Sequence, residues 1–305
     1  MGEAGNTQGR TVLSPDEESG GVAAGRAGYA VSEDGTAIGY WRRGEGAPLV
    51  LVHGTSADHA RWAPVLPALG ERFTVYVVDR RGQEGSGDAA DHSLEREVED
   101  VVAVVDSIGA PVCLLGHSYG AICSLEAASR RAARVGGLVL YEPPIPTGMV
   151  AFPAEAVERV EALIEENHRG EAVALFLREV AGMPPREVDR LRAEPAWHKR
   201  VVAAHTLPRE ARAAEGYVLD PARLREFGTP TLLLLGGESP PFFRAATEAV
   251  DEALPDSRIV VMPGQGHVAM HTAPELFASL VVGFLAAPGR TYPRDGRKEE
   301  SFGNR

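Results

Sequence analysis

Cysteine is nearly missing from this chain. Its 305 residues hold only Cys113 and Cys123, too few for a disulfide framework, and both lie in apolar surroundings that suit small buried side chains. Long apolar runs are missing too: none approaches the ~18 residues of a membrane span. The opening Met1-Gly-Glu-Ala-Gly-Asn has neither the basic start nor the apolar stretch of a secretory signal. Asn6 stands where a myristoylation pattern requires Ser or Thr. Positive charge is in deficit, with 31 Lys and Arg against 43 Asp and Glu and a net charge of −12. Such an acidic balance argues against a nucleic-acid or anionic-membrane partner. No G-x-G-x-x-G, phosphate loop or metal-ligand spacing occurs, so neither cofactor nor metal is expected. These absences point to a soluble chain in a reducing, cytoplasmic setting whose partner is a small molecule, with the oligomeric state left open.

What is present is a regular alternation of short apolar runs and helix-like stretches. Hydrophobic residues make up 44% of the chain and charged ones 24%, ordinary for a globular protein. Residues 1–26 are rich in Gly, Glu, Ser and Asp without periodicity, and read as a disordered leader. Segments 29–32 and 36–42 flank Asp34-Gly35, a hairpin signal. Buried-strand runs follow at 49–52, 73–78, 112–115, 137–141, 231–235 and 258–262. Helices are expected at 58–70, at 93–108 with Ser93 as cap, at 121–133, at 242–254 and from 274 to 285. Continuous apolar strands alternating with helices predict an α/β fold with a doubly wound, mostly parallel sheet covered on both faces. The alternation lapses over 145–216, where helix-like stretches at 154–168, 171–181, 186–193 and 196–205 predict an inserted helical cap. The core would then be 27–144 and 217–288, with 289–305 a loose tail.

Chemistry gathers where apolar runs end. Val112–Leu115 runs into Gly116-His117-Ser118-Tyr119-Gly120, followed by a helix-forming stretch. Strand, sharp turn and helix with serine at the apex match the nucleophile elbow G-x-S-x-G, whose glycines leave room where backbone segments crowd. One strand ends at His53-Gly54-Thr55 and the last at Gly264-Gln-Gly-His267. Taken together, and in the order Ser, acid, His, these motifs resemble the α/β-hydrolase superfamily over residues ~28–288. That resemblance implies Ser118 as nucleophile, His267 as base, and the backbone N–H groups of Thr55 and Tyr119 as oxyanion hole. It also makes the loop Asp79-Arg-Arg-Gly82…Gly85-Ser-Gly87 a structural element. Among the other histidines, His53 is expected to brace the oxyanion turn and His117 to pack it. His271 is a lesser candidate base. His59, His92, His168, His198 and His205 read as surface or cap residues, His205 also as a candidate for the pocket wall.

The acid is open between two glutamates. Where the superfamily usually carries Asp, after the strand 231–235, this chain reads Gly236-Gly-Glu238-Ser-Pro240. Glu142, in Tyr-Glu-Pro-Pro at the end of the strand after the elbow helix, is the favoured choice, because some branches take their acid from that strand end. Glu238 is the alternative. A serine nucleophile implies an acyl-enzyme, hence a carboxylic ester, lactone or thioester. Met149, Phe152, Leu163, Phe176, Leu177, Met183 and Trp197 are candidates for cap core or for a pocket taking a medium-sized apolar substrate. The expected activity is therefore a serine esterase or lactonase. A non-hydrolytic cyclase, lyase or acyl transferase on the same scaffold is the alternative, and a ligand-binding receptor the third reading.

Overall fold

The computed structural model describes residues 26–286. The expected leader and tail lie outside these, apart from Arg26. Eight strands form one sheet in the order β1-β2-β4-β3-β5-β6-β7-β8. They are β1 (Arg26–Val31), β2 (Ala37–Arg43), β3 (Ala47–Val52), β4 (Phe73–Val78), β5 (Val112–His117), β6 (Val135–Tyr141), β7 (Thr231–Gly236) and β8 (Ser257–Met262). β1 and β2 are antiparallel, β2 runs antiparallel to β4, and every pairing from β4 to β8 is parallel. The parallel strands β3, β5 and β7 carry continuous apolar runs at 49–52, 112–115 and 232–235 because helices cover both faces, each buried Val or Leu contributing about 1.5–3 kcal/mol. The hairpin turn forms where Asp34-Gly35 placed it, with the Asp34 carboxylate accepting from the Thr36 amide and Gly35 at φ 87°.

The α-helices are α1 (Leu66–Gly70), α2 (Leu94–Ser107), α3 (Tyr119–Arg130), α4 (Ala154–Glu165), α5 (Arg169–Leu175), α6 (Pro185–Arg192), α7 (Trp197–Val202), α8 (Thr206–Glu215), α9 (Pro221–Leu224), α10 (Pro241–Ala253), α11 (Ala269–Thr272) and α12 (Pro274–Leu285). Ser93 caps α2 through a bond from the Arg96 amide. The single helix expected over 58–70 is instead a 3₁₀ turn, His59–Trp62, followed by α1. Pro64 and Pro67 withhold the amides that a continuous helix would need there. Between β6 and β7 the described chain forms no strand and carries α4 to α9, the helices before α9 sharing a core of their own around Val160, Val173, Phe176 and Leu207. The stretch expected over 196–205 is α7 followed by a 3₁₀ turn, and α8, which was not expected, begins at Thr206 with Pro208 in its first turn, where no intrahelical donor is lost.

Arg80, in the loop after β4, ties these layers together. It is fully buried and pairs with Glu97 of α2 at 2.9 Å and Glu210 of α8 at 2.6 Å. Its Nε donates to the His53 carbonyl at 3.0 Å, and its guanidinium lies over the Tyr119 ring at 4.9 Å. Arg81 is held by Asp100 and Asp34. Of two histidines expected at the surface or in the cap, His59 is buried and His92 half-buried. His59 pairs with Asp79 at 3.0 Å and stacks on Trp41, and His92 bonds Glu97 at 3.0 Å. Carboxylates supply the partners for these rings, Asp79 from 20 residues away for His59 and Glu97 from five residues away for His92.

Two outcomes follow. Arg80→Met leaves Glu97 and Glu210 buried without their cation, and urea unfolding should show a loss of about 3–5 kcal/mol. His53 accepts from the Arg80 amide at 3.2 Å through Nε2, and its Nδ1 donates to the Gly54 carbonyl at 2.8 Å. Burial, and then the Arg80 cation, hold its pKa well below 6.5. The unfolded ring therefore takes up a proton that the folded ring refuses, so this group costs stability as pH falls below 6.5. In His53→Gln the decline in unfolding free energy between pH 6.5 and about 5 should be shallower, by up to about 1.4 kcal/mol per pH unit.

Candidate active site

Ser118 sits between β5 and α3 at φ 54° and ψ −128°, a conformation that costs a non-glycine residue about 1–3 kcal/mol. The turn is held by the Ser118 amide donating to the Tyr141 carbonyl at 2.9 Å and by the Ala121 amide donating to the Ser118 carbonyl at 2.8 Å. A Cβ on Gly116 would fall 2.5 Å from the Gly120 carbonyl oxygen, and one on Gly120 would fall 2.3 Å from that of His53. The crowding explains both glycines of the elbow. Ser118 itself is only half-buried, so its hydroxyl is reachable.

The His53-Gly54-Thr55 turn lies directly against the elbow: a Cβ on Gly54 would sit 2.7 Å from Ser118 Cβ. The next residue, Ser56, has φ 57°. Thr55 and Tyr119 thus belong to two backbone turns that meet at Ser118, the Tyr119 amide being the first of α3.

Glu142 follows β6 directly at φ 50° and is fully buried. Its carboxylate is engaged on both oxygens. Oε1 accepts from the Gly236 amide at the end of β7 at 2.6 Å, and Oε2 meets His267 Nδ1 at 2.5 Å. The loop after β8 that carries His267 is pinned from beneath: His117 Nε2 donates to the His267 carbonyl at 2.8 Å, and the Tyr141 hydroxyl donates to the Gly266 carbonyl. Phe243, from α10, stacks on the His267 ring at 4.2 Å and 17°. Glu238, the alternative acid, is exposed, and its amide donates to the Gln265 carbonyl at 2.9 Å.

The remaining histidines divide by environment. His117 is buried, and burial followed by the nearby His267 holds its pKa well below the usual value. His271 is pulled down to about 4 by burial and then by Arg61, which leaves it neutral near pH 7. His205 bonds Asp88 at 3.0 Å on the wall of a cavity of about 880 Å³. This cavity lies between the helical segment and the core. Ser56 and Ala57, just past Thr55, line it on one side, and Val268 and His271, just past His267, on another.

Of the apolar residues expected at a pocket, only Leu177 and Met183 reach this cavity. Phe176 is buried in the core of the helical segment, with Phe152, Leu163 and Trp197 packed against it, and Met149 is exposed. Charged chains, among them Arg61, Lys199 and Arg200, take much of the wall instead. No local pattern could have flagged Arg61 or Arg200, because they meet only through the fold. Tyr141 and Phe243, which support His267, also escaped notice for that reason.

The sequence pattern of the alpha/beta hydrolase family matches residues 49–280. A solved structure of an alpha/beta hydrolase from Sphaerobacter thermophilus is 35% identical, with a TM-score of 0.74, over 84% of this chain and 99% of that one. An esterase from Rhodococcus sp. is 26% identical, with a TM-score of 0.71, over 86% and 99%. Among curated proteins, the 2-(acetamidomethylene)succinate hydrolase of Mesorhizobium japonicum is 25% identical over 80% of this chain and 90% of its own length. A family match over most of the chain, on a sheet and elbow of this geometry, places the protein in the alpha/beta hydrolase family, as an enzyme of the hydrolase class.

Proposed function

We propose that the protein is a serine hydrolase that cleaves a carboxylic ester, lactone or thioester through an acyl-enzyme. Ser118 is the nucleophile, His267 the base and Glu142 the acid that orients it, under a cap formed by α4–α8. The observation that carries the reading is the 2.5 Å bond from His267 Nδ1 to the buried Glu142, beside a serine held at the apex of a strained elbow. With Nδ1–H donated to Glu142, the free Nε2 is the atom that takes the Ser118 proton as Oγ adds to the carbonyl carbon. The carbonyl oxygen gains the charge, and the amides of Thr55 and Tyr119 are the donors for it, such donors being worth several kcal/mol. The imidazolium then returns its proton to the leaving alcohol or thiol. A water, deprotonated by the same nitrogen, releases the acid. The esterases and hydrolases among the relatives support hydrolysis over a rearrangement.

A fluorophosphonate should label Ser118 and no other residue, and Ser118→Ala should abolish p-nitrophenol release from short acyl esters. Full activity in that variant would sink the reading. Glu142→Gln removes the group that fixes the imidazole tautomer, and kcat should drop about 10³–10⁴-fold. Glu238→Gln should stay within about threefold of the parent, as expected for an exposed carboxylate away from the reacting groups. The opposite order would move the acid to the loop after β7.

A further inference from the structure

The cavity between cap and core holds cations that no carboxylate neutralises. Arg61, in the 3₁₀ turn after β3, and Arg200, on α7, both line it. Among the described residues neither has a carboxylate oxygen within ion-pair distance. Arg61 Nε is buried without a hydrogen-bond partner among the described residues. Arg200 has the Ser56 hydroxyl, to which its Nη1 donates at 3.1 Å. On the same wall Lys199 pairs with Glu84 at 2.6 Å and His205 with Asp88 at 3.0 Å, and Arg186 and Arg190, both exposed, add further positive charge. The acids facing the pair are Asp58 and Glu194. Asp58 spends an oxygen on the Ala60 amide as a helix cap.

Arg61 and Arg200 are both half-buried, and two guanidinium groups partly withdrawn from water in one cavity, with no anion between them, repel. Burial, and then the charge of Arg200, press the Arg61 pKa down to about 9, so it remains cationic at neutral pH. The neutral His271, bonded to the Arg61 backbone, adds no charge. Ser56 follows Thr55, and His271 lies four positions past His267, so the arginines stand next to both sides of the reacting centre.

We propose that Arg61 and Arg200 form an anion subsite for a free carboxylate of the substrate, so that the ester cleaved is that of a molecule that also carries an acid group. This rests on the serine-hydrolase reading above and replaces an apolar substrate with an anionic one. The planar guanidinium fork matches carboxylate geometry, and a bound carboxylate supplies the charge that the pair lacks and an acceptor for the unpartnered Arg61 Nε.

The test is calorimetric titration of the Ser118→Ala protein, which binds without turnover. The ligands are the monomethyl and dimethyl esters of succinic, adipic and suberic acids, and inorganic phosphate. At the best chain length the half-ester should bind about tenfold or more tightly than the diester. Adding Arg61→Gln or Arg200→Gln should weaken the half-ester by about tenfold or more, and Arg61→Lys by less. If Arg61→Gln fails to fold, Arg200→Gln carries the comparison. Equal affinity for half-ester and diester overturns the subsite. So does half-ester binding unaltered by the arginine changes, or phosphate binding tighter than any half-ester. Fluorophosphonate labelling of the unmutated protein separates the two claims. Labelling without half-ester preference removes the subsite and leaves the hydrolase. Preference without labelling keeps the subsite and removes the hydrolase.

Discussion

One carboxylate holds the C-terminal ends of three neighbouring strands together. Glu142 leaves β6 in a left-handed backbone conformation, buries completely, and divides its oxygens between the amide at the end of β7 and the ring of His267 beyond β8. Three consecutive strand ends are thereby fixed relative to one another through a single side chain. A buried carboxylate is tolerable only with such partners, so the requirement acts in both directions. The glutamate needs the histidine and the amide, and the histidine loop takes its place from the glutamate. Tyr141 and His117 then hold the same loop from its backbone side.

A second polar anchor works at the opposite edge of the site. Arg80 reaches from the loop after β4 to carboxylates of α2 and α8, and braces the His53 carbonyl and the Tyr119 ring. The turn that abuts Ser118 and the helix that overlies the cavity are thus registered to one buried cation. Shape and charge of the cavity depend on that registration. The same segment between β6 and β7 carries Leu177 and Met183 to its wall and, on α7, brings Arg200 within reach of Ser56.

Much of the fold was legible because its signals are local. The apolar runs of β3, β5 and β7 and the glycines around Ser118 state their own requirements within a few residues. The break between His59 and Leu66 was missed because prolines can end a helix or sit harmlessly in its first turn, and the neighbours decide which. His59 and His92 were misjudged for a related reason. A histidine goes inside when a carboxylate meets it; Asp79 reaches His59 only through the fold, and Glu97 meets His92 across the start of α2 once Arg80 has drawn that carboxylate inward.

By itself, the amino-acid sequence determined the alternating α/β architecture, the elbow at Ser118, the turn at His53-Gly54-Thr55 and the placement of His267 just after the last strand. Periodicity and glycine placement act over short stretches of chain. Which glutamate touches His267, and which charges face the cavity, were decided only by tertiary structure. Glu142 and Glu238 look alike as residues after strands, and only packing buries one against the imidazole and leaves the other in solvent. Arg61 and Arg200 are ordinary surface-type residues in the sequence. They become an unneutralised pair because the turn after β3 and helix α7 are folded onto the same cavity, where both are half-buried and water screens them less.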